Sequence, residues 1–529
     1  MKKLSLKQKI GQLMVIGFNG LSVPANFSEL IKEYQIGGVI LFGRNIGTPE
    51  EILELTTSLQ KMAKKAGNEQ PLLICLDQEN GMVRRLGEGT TLFPGSMLVG
   101  ATKDKQSAYD ISNATGKELK ALGINWNLAP VLDINNNPDN PVIGVRSFGE
   151  TPEQVSEFGI ESMKGMQEAG IMTTLKHFPG HGDTNVDSHL DLPVINHSME
   201  RLYDVELKPF LNAINEGADA IMSAHVYFPA LEKEKNKPAT LSKNVLTGLL
   251  REELNFKGII TTDCLEMKAI SETIGTEKGA VEAFKAGVDL LMVSHTYDVQ
   301  VGAMKALEEA YKNSEITEER LDESVQRIIE MKEKYLSWDQ VESLNKENLP
   351  REVGTAASKE LATTVYRKGV TVVKDDDAIL PIKDDASVLI LFPDSGKTLL
   401  VEDKRFTDLN ISALLKSIAP TADILVTNEI KSESEVKGVL DKAKNVDYII
   451  VGTLNATKSD KQVSLINKIK EVNTNTIGIG LRSPYDLNYY PSIPTYLNTY
   501  EFTQPAIEIA IKAIYGKEEV SGSLPVSLN

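Results

Sequence analysis

The chain has 529 residues, 41% of them hydrophobic and 25% charged, an ordinary globular composition that excludes a disordered, collagen-like or coiled-coil polypeptide. With 57 Lys and Arg against 74 Asp and Glu, the net charge of −17 sets the surface against phosphate backbones and anionic lipid, so no nucleic-acid partner is expected. The two cysteines, Cys75 and Cys264, stand far apart inside apolar runs and read as buried thiols, too few for a disulfide framework or a cysteine zinc site.

In chain order, the first twenty residues begin with lysines, but Lys7, Gln8, Lys9 and Gln12 interrupt any apolar stretch and no small-residue cleavage site follows. The segment therefore reads as a helix entering a strand, and the protein as cytoplasmic. No window approaches 18 uncharged apolar residues, and no cysteine near the start could carry a lipid, so no membrane partner is expected. Short runs rich in Val, Ile and Leu then recur at 13–18, 38–42, 72–77, 124–129, 172–177, 220–225, 258–263 and 289–294. Helical segments separate them, for example 49–66 and 152–169, where Thr48 and Thr151 precede Pro-Glu as N-cap, first-turn proline and an acid on the helix dipole.

Alternating strands and helices imply parallel pairing with both faces covered. Eight such units fit an α/β barrel, with a doubly wound open sheet as the other reading. Several runs end in residues capable of chemistry: Asp77, Lys176 with His177, His225, Asp263 and, just beyond the last run, His295. In a parallel barrel the carboxyl ends share one face, so these residues converge on one cup. The charge run 232–237 reads as a solvated loop face.

A helix at 317–335 with apolar residues at helical spacing closes the first unit, residues 1–336. The polar stretch 337–351 reads as a linker, and a second unit, 352–529, restarts the pattern. Its strands are expected at 369–374, 388–392, 424–427, 448–453, 477–481 and 496–500, which makes a smaller α/β sandwich. It carries no GxGxxG or GxxxxGK motif, so its shape alone does not make it a nucleotide binder. Asn455 and the stretch 482–486 read as structural or interface features.

The segment KHFPGHGDTNVDSH, residues 176–189, holds three of the six histidines in the chain. In one reading His177, His181, Asp183, Asp187 and His189 are metal ligands, since imidazole and carboxylate suit zinc. Pro179 and Gly180 nevertheless break the helical spacing that would put two imidazoles on one face. In the other, Asp187 accepts the Nδ1 hydrogen of His189 and leaves Nε2 for a substrate. A histidine of unperturbed pKa about 6.5 can give and take a proton near neutrality, worth about 10² to 10⁴ in rate. Pro179 with Gly180 and Gly182 suggests a loop able to move. Asp263 in GIITTDCLEM is either an N-cap or a carboxylate nucleophile for a sugar anomeric carbon.

Together, KHFPGHGDTNVDSH, TTDCLEM, LDQENGMVRRL and GVRSFGETPE closely resemble the bacterial β-N-acetylglucosaminidases of glycoside hydrolase family 3, over essentially the whole chain. The resemblance implies an N-terminal TIM-like (β/α)8 barrel followed by an α/β/α sandwich. It implies Asp263 as nucleophile, His189 as general acid/base and Asp187 as its orienting partner. It implies Asp77, Arg146, Lys176, His177 and Arg44 as sugar-binding residues, with no metal and no cofactor. The DSH triplet places the chain in the branch that draws its acid from this loop, unlike members that take a Glu from the sandwich, and implies selectivity for N-acetylated sugars. The implied activity is retaining release of terminal β-linked N-acetylglucosamine from cell-wall muropeptides by a monomer whose partner is a small carbohydrate. Phosphate could replace water as acceptor, because a neutral histidine does not repel an anion; a phosphorylase is thus the alternative. A metal-dependent hydrolase using the His/Asp cluster and an inactive sugar-binding protein are more distant readings.

Overall fold

The structure, a computed structural model, describes residues 4–394, 401–406, 409–457 and 460–528. Eight short strands form one parallel sheet: β1 (Met14–Ile16), β2 (Gly38–Ile40), β3 (Leu73–Leu76), β4 (Trp126–Asn127), β5 (Met172–Phe178), β6 (Ala220–Ser223), β7 (Ile259–Thr262) and β8 (Leu291–Val293). Every residue in them is buried, as expected of a sheet covered on both faces. Each strand pairs with its sequence neighbours and β1 returns to β8. An open doubly wound sheet would reverse its strand order partway, and this one does not. A bridge between Thr261 and Leu290, with Thr262 N–H donating to Leu290 O at 3.1 Å, draws β7 to β8 and closes the barrel.

Local chemistry sets the helices. Thr48 Oγ1 accepts from Glu51 N–H at 3.4 Å while Glu51 returns a carboxylate to Thr48 N–H at 2.8 Å, and Gly67 at φ 88° ends Pro49–Ala66. Thr151 Oγ1 likewise accepts from Gln154 N–H, at 3.3 Å, at the start of Pro152–Glu168, without the return bond. The helix Glu318–Tyr335 lays Leu321, Val325, Ile328 and Ile329 onto the barrel and anchors its end through Tyr335 and Lys334, both bonded to buried Asp219. The stretch that follows is helical in short turns, Trp338–Glu342 and Leu349–Glu352, and lies along Pro49–Ala66 through Lys346–Glu54 and Lys64–Glu342 ion pairs. The 232–237 run is not simply a solvated face: Glu232 is buried, accepting from Ser242 Oγ at 2.6 Å.

A second sheet contains β9 (Thr371–Asp375), β10 (Val388–Phe392), β11 (Asp423–Val426), β12 (Tyr448–Thr453), β13 (Thr476–Gly480) and β14 (Thr495–Asn498), in the order β11-β10-β12-β13-β14-β9. All pairs are parallel except β14 with β9. Alternation along β10 shows why it is a sandwich layer: Leu389 and Leu391 enter one hydrophobic core, Ile390 and Phe392 the other. The fold is thus a TIM-like barrel followed by an α/β sandwich. The sandwich sends residues 401–406 onto the barrel mouth, where Arg405 donates to the Ile46 carbonyl at 2.9 Å and the Arg85 carbonyl at 2.8 Å. Gly43 permits this approach: a Cβ there would sit 2.0 Å from an Asp403 carboxylate oxygen.

Candidate active site

A cavity of about 370 Å3 lies at the carboxyl ends of the barrel strands. Asp77 follows β3, Lys176 and His177 end β5, Asp263 follows β7, and Arg44, Arg146 and His189 arrive on the loops after β2, β4 and β5; all of them line it. Arg44 and His295, 251 positions apart, are brought together because all barrel strands point the same way.

One wall is an ionic network. Lys176, 1% exposed, places Nζ 2.8 Å from Asp77 Oδ1 and 2.7 Å from Glu79 Oε1. Arg146 donates through Nε and Nη2 to the two Glu79 oxygens, both at 2.8 Å, and Arg85 reaches Asp77 at 3.2 Å. Burial alone would raise the Glu79 carboxyl, but Arg146 and Lys176 outweigh it and hold it far below the usual carboxylate range. Burial would likewise lower Lys176, and Asp77 and Glu79 instead keep its ammonium raised. Glu79, Lys176 and Arg146 are held in their charged forms, and the Asp77 and Lys176 side chains on the cavity wall are groups capable of charge-assisted hydrogen bonds. Arg44 is held differently, donating to the Phe18 and Ser294 carbonyls at 2.8 Å and facing His295 Nδ1 at 3.1 Å. Glu79→Gln is expected to cost about 3–5 kcal/mol, because it leaves Arg146 buried without its carboxylate and Lys176 with Asp77 alone. The thermal unfolding midpoint checks this, and an unchanged midpoint would show that water replaces the lost charge.

The histidines have their own set of partners. His189 Nδ1–H donates to Asp187 Oδ1 at 2.7 Å, and its backbone N–H reaches the same oxygen at 2.9 Å. Asp187 would be raised by burial but is held below its ordinary value by these two hydrogen bonds. With Nδ1 committed, Nε2 is the ring nitrogen without a hydrogen bond among the described residues. His177 Nδ1–H donates to the fully buried Asp133 at 2.7 Å, and Asp133 also accepts His181 N–H at 2.7 Å. His181 does not reach the cavity. Thr184 gives its proton to the His181 carbonyl, so His181 Nδ1–H donates to Thr184 Oγ1 at 2.8 Å and Nε2 accepts from Ser188 Oγ at 2.9 Å. Burial lowers this imidazole to about 4, which keeps it neutral as the clamp of the loop.

The loop entry is closely packed at Gly182. A Cβ on Gly182 would lie 1.7 Å from the Ile134 carbonyl oxygen, so the glycine serves close approach. The five residues that could have formed a metal cluster are separated into distinct pairs: His177 with Asp133, His181 with Thr184 and Ser188, Asp183 with His197, Asp187 with His189. Among the described residues no group of three His, Cys, Asp or Glu is arranged to hold a metal ion.

Asp263 is half-buried and accepts Cys264 N–H at 2.7 Å, its one hydrogen bond among the described residues. It caps no helix; the next one, Lys268–Ser271, begins after Met267. Burial would raise the carboxyl, but the imidazoles of His225, His177 and His189 hold it below its ordinary value. His225 is fixed by Thr240 at 2.8 Å and by the Cys264 carbonyl at 3.1 Å, which can only accept, so Nε2 carries the proton. The cavity therefore contains an ionised, under-used carboxylate and, on the loop after β5, an imidazole oriented by a buried acid. That pairing can attack one carbon and move one proton.

Glu79, Arg85, Asp133 and the sandwich residues Glu402 and Asp403 were not singled out by the sequence reading, although Glu402 and Asp403 line the same cavity. Glu79 lies two residues after Asp77, and that spacing was the available signal. Glu402, its side chain 1% exposed, is paired with Arg482 of the same sandwich.

The model of the glycosyl hydrolase family 3 N terminal domain matches residues 5–331. The chain is 33% identical to beta-hexosaminidase A of Pseudoalteromonas piscicida, over 96% of this chain and 92% of that protein. Its structure superposes on a glycoside hydrolase family 3 β-N-acetylglucosaminidase from Paenibacillus sp. str. FPU-7 with a TM-score of 0.91 and 40% identity, covering 100% of this chain and 99% of the other. A fungal multi-domain β-N-acetylglucosaminidase of the same family matches at a TM-score of 0.92 and 37% identity, covering 99% of this chain, which spans 61% of that longer one.

Proposed function

The chain belongs to glycosyl hydrolase family 3, and from that premise we propose that it is a retaining exo-β-N-acetylglucosaminidase that removes terminal β-linked N-acetylglucosamine, with cell-wall muropeptides as its substrates. The observation that carries the reading is the placement of ionised Asp263 and the Asp187–His189 pair on one cavity with the Lys176, Asp77 and Glu79 network. The names of the hexosaminidase and glucosaminidase relatives support the substrate class.

In this mechanism Asp77, Lys176 and His177 hold the sugar hydroxyls, with Arg44, Arg85 and Arg146 supporting that wall. An Asp263 oxygen attacks the anomeric carbon as the glycosidic bond breaks, and His189 Nε2–H passes its proton to the departing oxygen. Asp187 stabilises the form of His189 that carries the proton. Neutral His189 then takes a proton from water, which displaces Asp263 and restores the β-configuration. Asp263 is free to attack because no cationic side chain claims its oxygens, whereas both oxygens of Asp77 are committed to Lys176 and Arg85.

The test is hydrolysis of an aryl β-N-acetylglucosaminide beside the matching β-glucoside, with and without EDTA and inorganic phosphate. Release from the acetamido sugar alone, indifferent to chelator, is the expected result. Phosphate stimulation with a sugar 1-phosphate product would move the reading to phosphorolysis, and loss on chelation would overturn it.

A further inference from the structure

A cavity of about 640 Å3 opens where the sandwich meets the barrel. Its barrel wall is the loop 135–145, whose continuation is Arg146 of the Asp263 cavity; its other wall is 455–457 and 482–489 of the sandwich. Arg482 lines this space at 5% exposure, while its partner Glu402 lines the Asp263 cavity, so one ion pair joins the walls of the two.

Two buried polar groups on this cavity lack full partners. A guanidinium has five N–H donors, and among the described residues Glu402 is the one ion-pair or hydrogen-bond partner of Arg482. Asn135, 1% exposed, gives its Nδ2 to Tyr485 Oη at 3.0 Å and leaves Oδ1 without a partner. Leaving the buried Asn135 oxygen unsatisfied is costly, and the Arg482 N–H donors that Glu402 does not take line the same space, so one ligand can complete both. Pro141, Val142 and Tyr489 supply apolar faces between them. A guanidinium for a carboxylate, an amide oxygen for an N–H or O–H, and apolar faces for methyl groups or a ring make up one recognisable set.

We propose that this cavity receives the reducing-side part of the substrate, a sugar or short peptide bearing a carboxylate, with Arg482 as its anion-binding residue and Asn135 Oδ1 accepting from its amide or hydroxyl. The inference rests on the exo-glycosidase reading for its direction: the bond being cut lies in the Asp263 cavity, and the leaving part extends past the shared Glu402–Arg482 wall.

The experiment compares kcat/KM for N-acetylglucosaminyl-β-1,4-N-acetylmuramoyl-dipeptide, which carries a carboxylate, with kcat/KM for an aryl β-N-acetylglucosaminide. In Arg482→Gln the ratio of the first to the second should fall on the order of ten- to a hundredfold, mainly through KM, the value of a charged hydrogen-bonded contact. Arg482→Lys should restore part of it. Thr457→Trp, which fills the mouth from an exposed position and leaves the Glu402 pair intact, should lower the ratio similarly. A ratio unchanged in both Arg482→Gln and Thr457→Trp overturns the proposal and makes Arg482 only a brace for Glu402. Calorimetric titration with N-acetylmuramoyl-dipeptide alone separates the two readings. Binding to the unmodified protein that Arg482→Gln abolishes upholds the cavity even if no glycoside is cleaved, and absence of binding overturns it even if the aryl substrate is turned over.

Discussion

Replacing Asp263 with alanine should lower kcat on an aryl β-N-acetylglucosaminide by on the order of 10⁴-fold or more, with the protein folded and still able to bind the sugar. The size follows from the role proposed for this carboxylate, forming the bond that stabilises the oxocarbenium-like transition state, and among the described residues the other carboxylates near the cavity are committed, Glu402 to Arg482 and Asp403 to Arg405. Asp77 is tied to Lys176 and Arg85, Glu79 to Arg146 and Lys176. The variant also opens space beside the anomeric carbon, so added azide should restore part of the rate and give the α-glycosyl azide, inverted because one displacement replaces two. Residual activity with unchanged stereochemistry and no azide response would place the nucleophile elsewhere.

The second large effect is expected at His189, and it should depend on the leaving group. His189→Ala removes the proposed proton donor, so a disaccharide, whose departing alkoxide needs that proton, should lose about 10² to 10⁴ in kcat, while a dinitrophenyl glycoside should lose far less in its first step. Asp187→Ala should show the same pattern more weakly, because the imidazole remains but loses the acceptor that orients Nδ1–H at 2.7 Å. Equal losses on both substrates would count against His189 as the acid and point to a role in holding the sugar. Calorimetric titration with N-acetylglucosamine on the same variants separates binding from chemistry.

How much of this was legible in the chain follows the range of the interactions concerned. Helix Pro49–Ala66 was readable to the residue because Thr48, Pro49 and Glu51 decide its start within four positions. The strands were readable as apolar runs, and their order of appearance was enough to offer a barrel, although only the return of β1 to β8 together with the bridge from β7 to β8 separates it from an open sheet. Lys176, His177, Asp77 and Asp263 could be placed on one face because each ends a strand. The His181 clamp, by contrast, looked like a metal ligand, since its partners Thr184 and Ser188 carry no distinctive signal and its burial is invisible in one dimension.

The sequence by itself determined the alternation of strands and helices, the polarity that gathers chemistry at the strand ends, and the Asp187–His189 spacing, because each depends on neighbours a few residues away. Tertiary structure alone decided what each charged group does. Asp77 and Asp263 occupy the same kind of position, yet one meets Lys176 across 99 residues and becomes an anchor, while the other meets only an adjacent N–H and stays available. Glu79 meets Arg146 across 67 residues, and the sandwich reaches the barrel mouth when Arg405 meets Ile46 across 359. The physical reason is that a carboxylate's ionisation and reactivity depend on the burial and charges around it, and in this fold those charges come from distant segments that only chain folding brings within hydrogen-bonding distance.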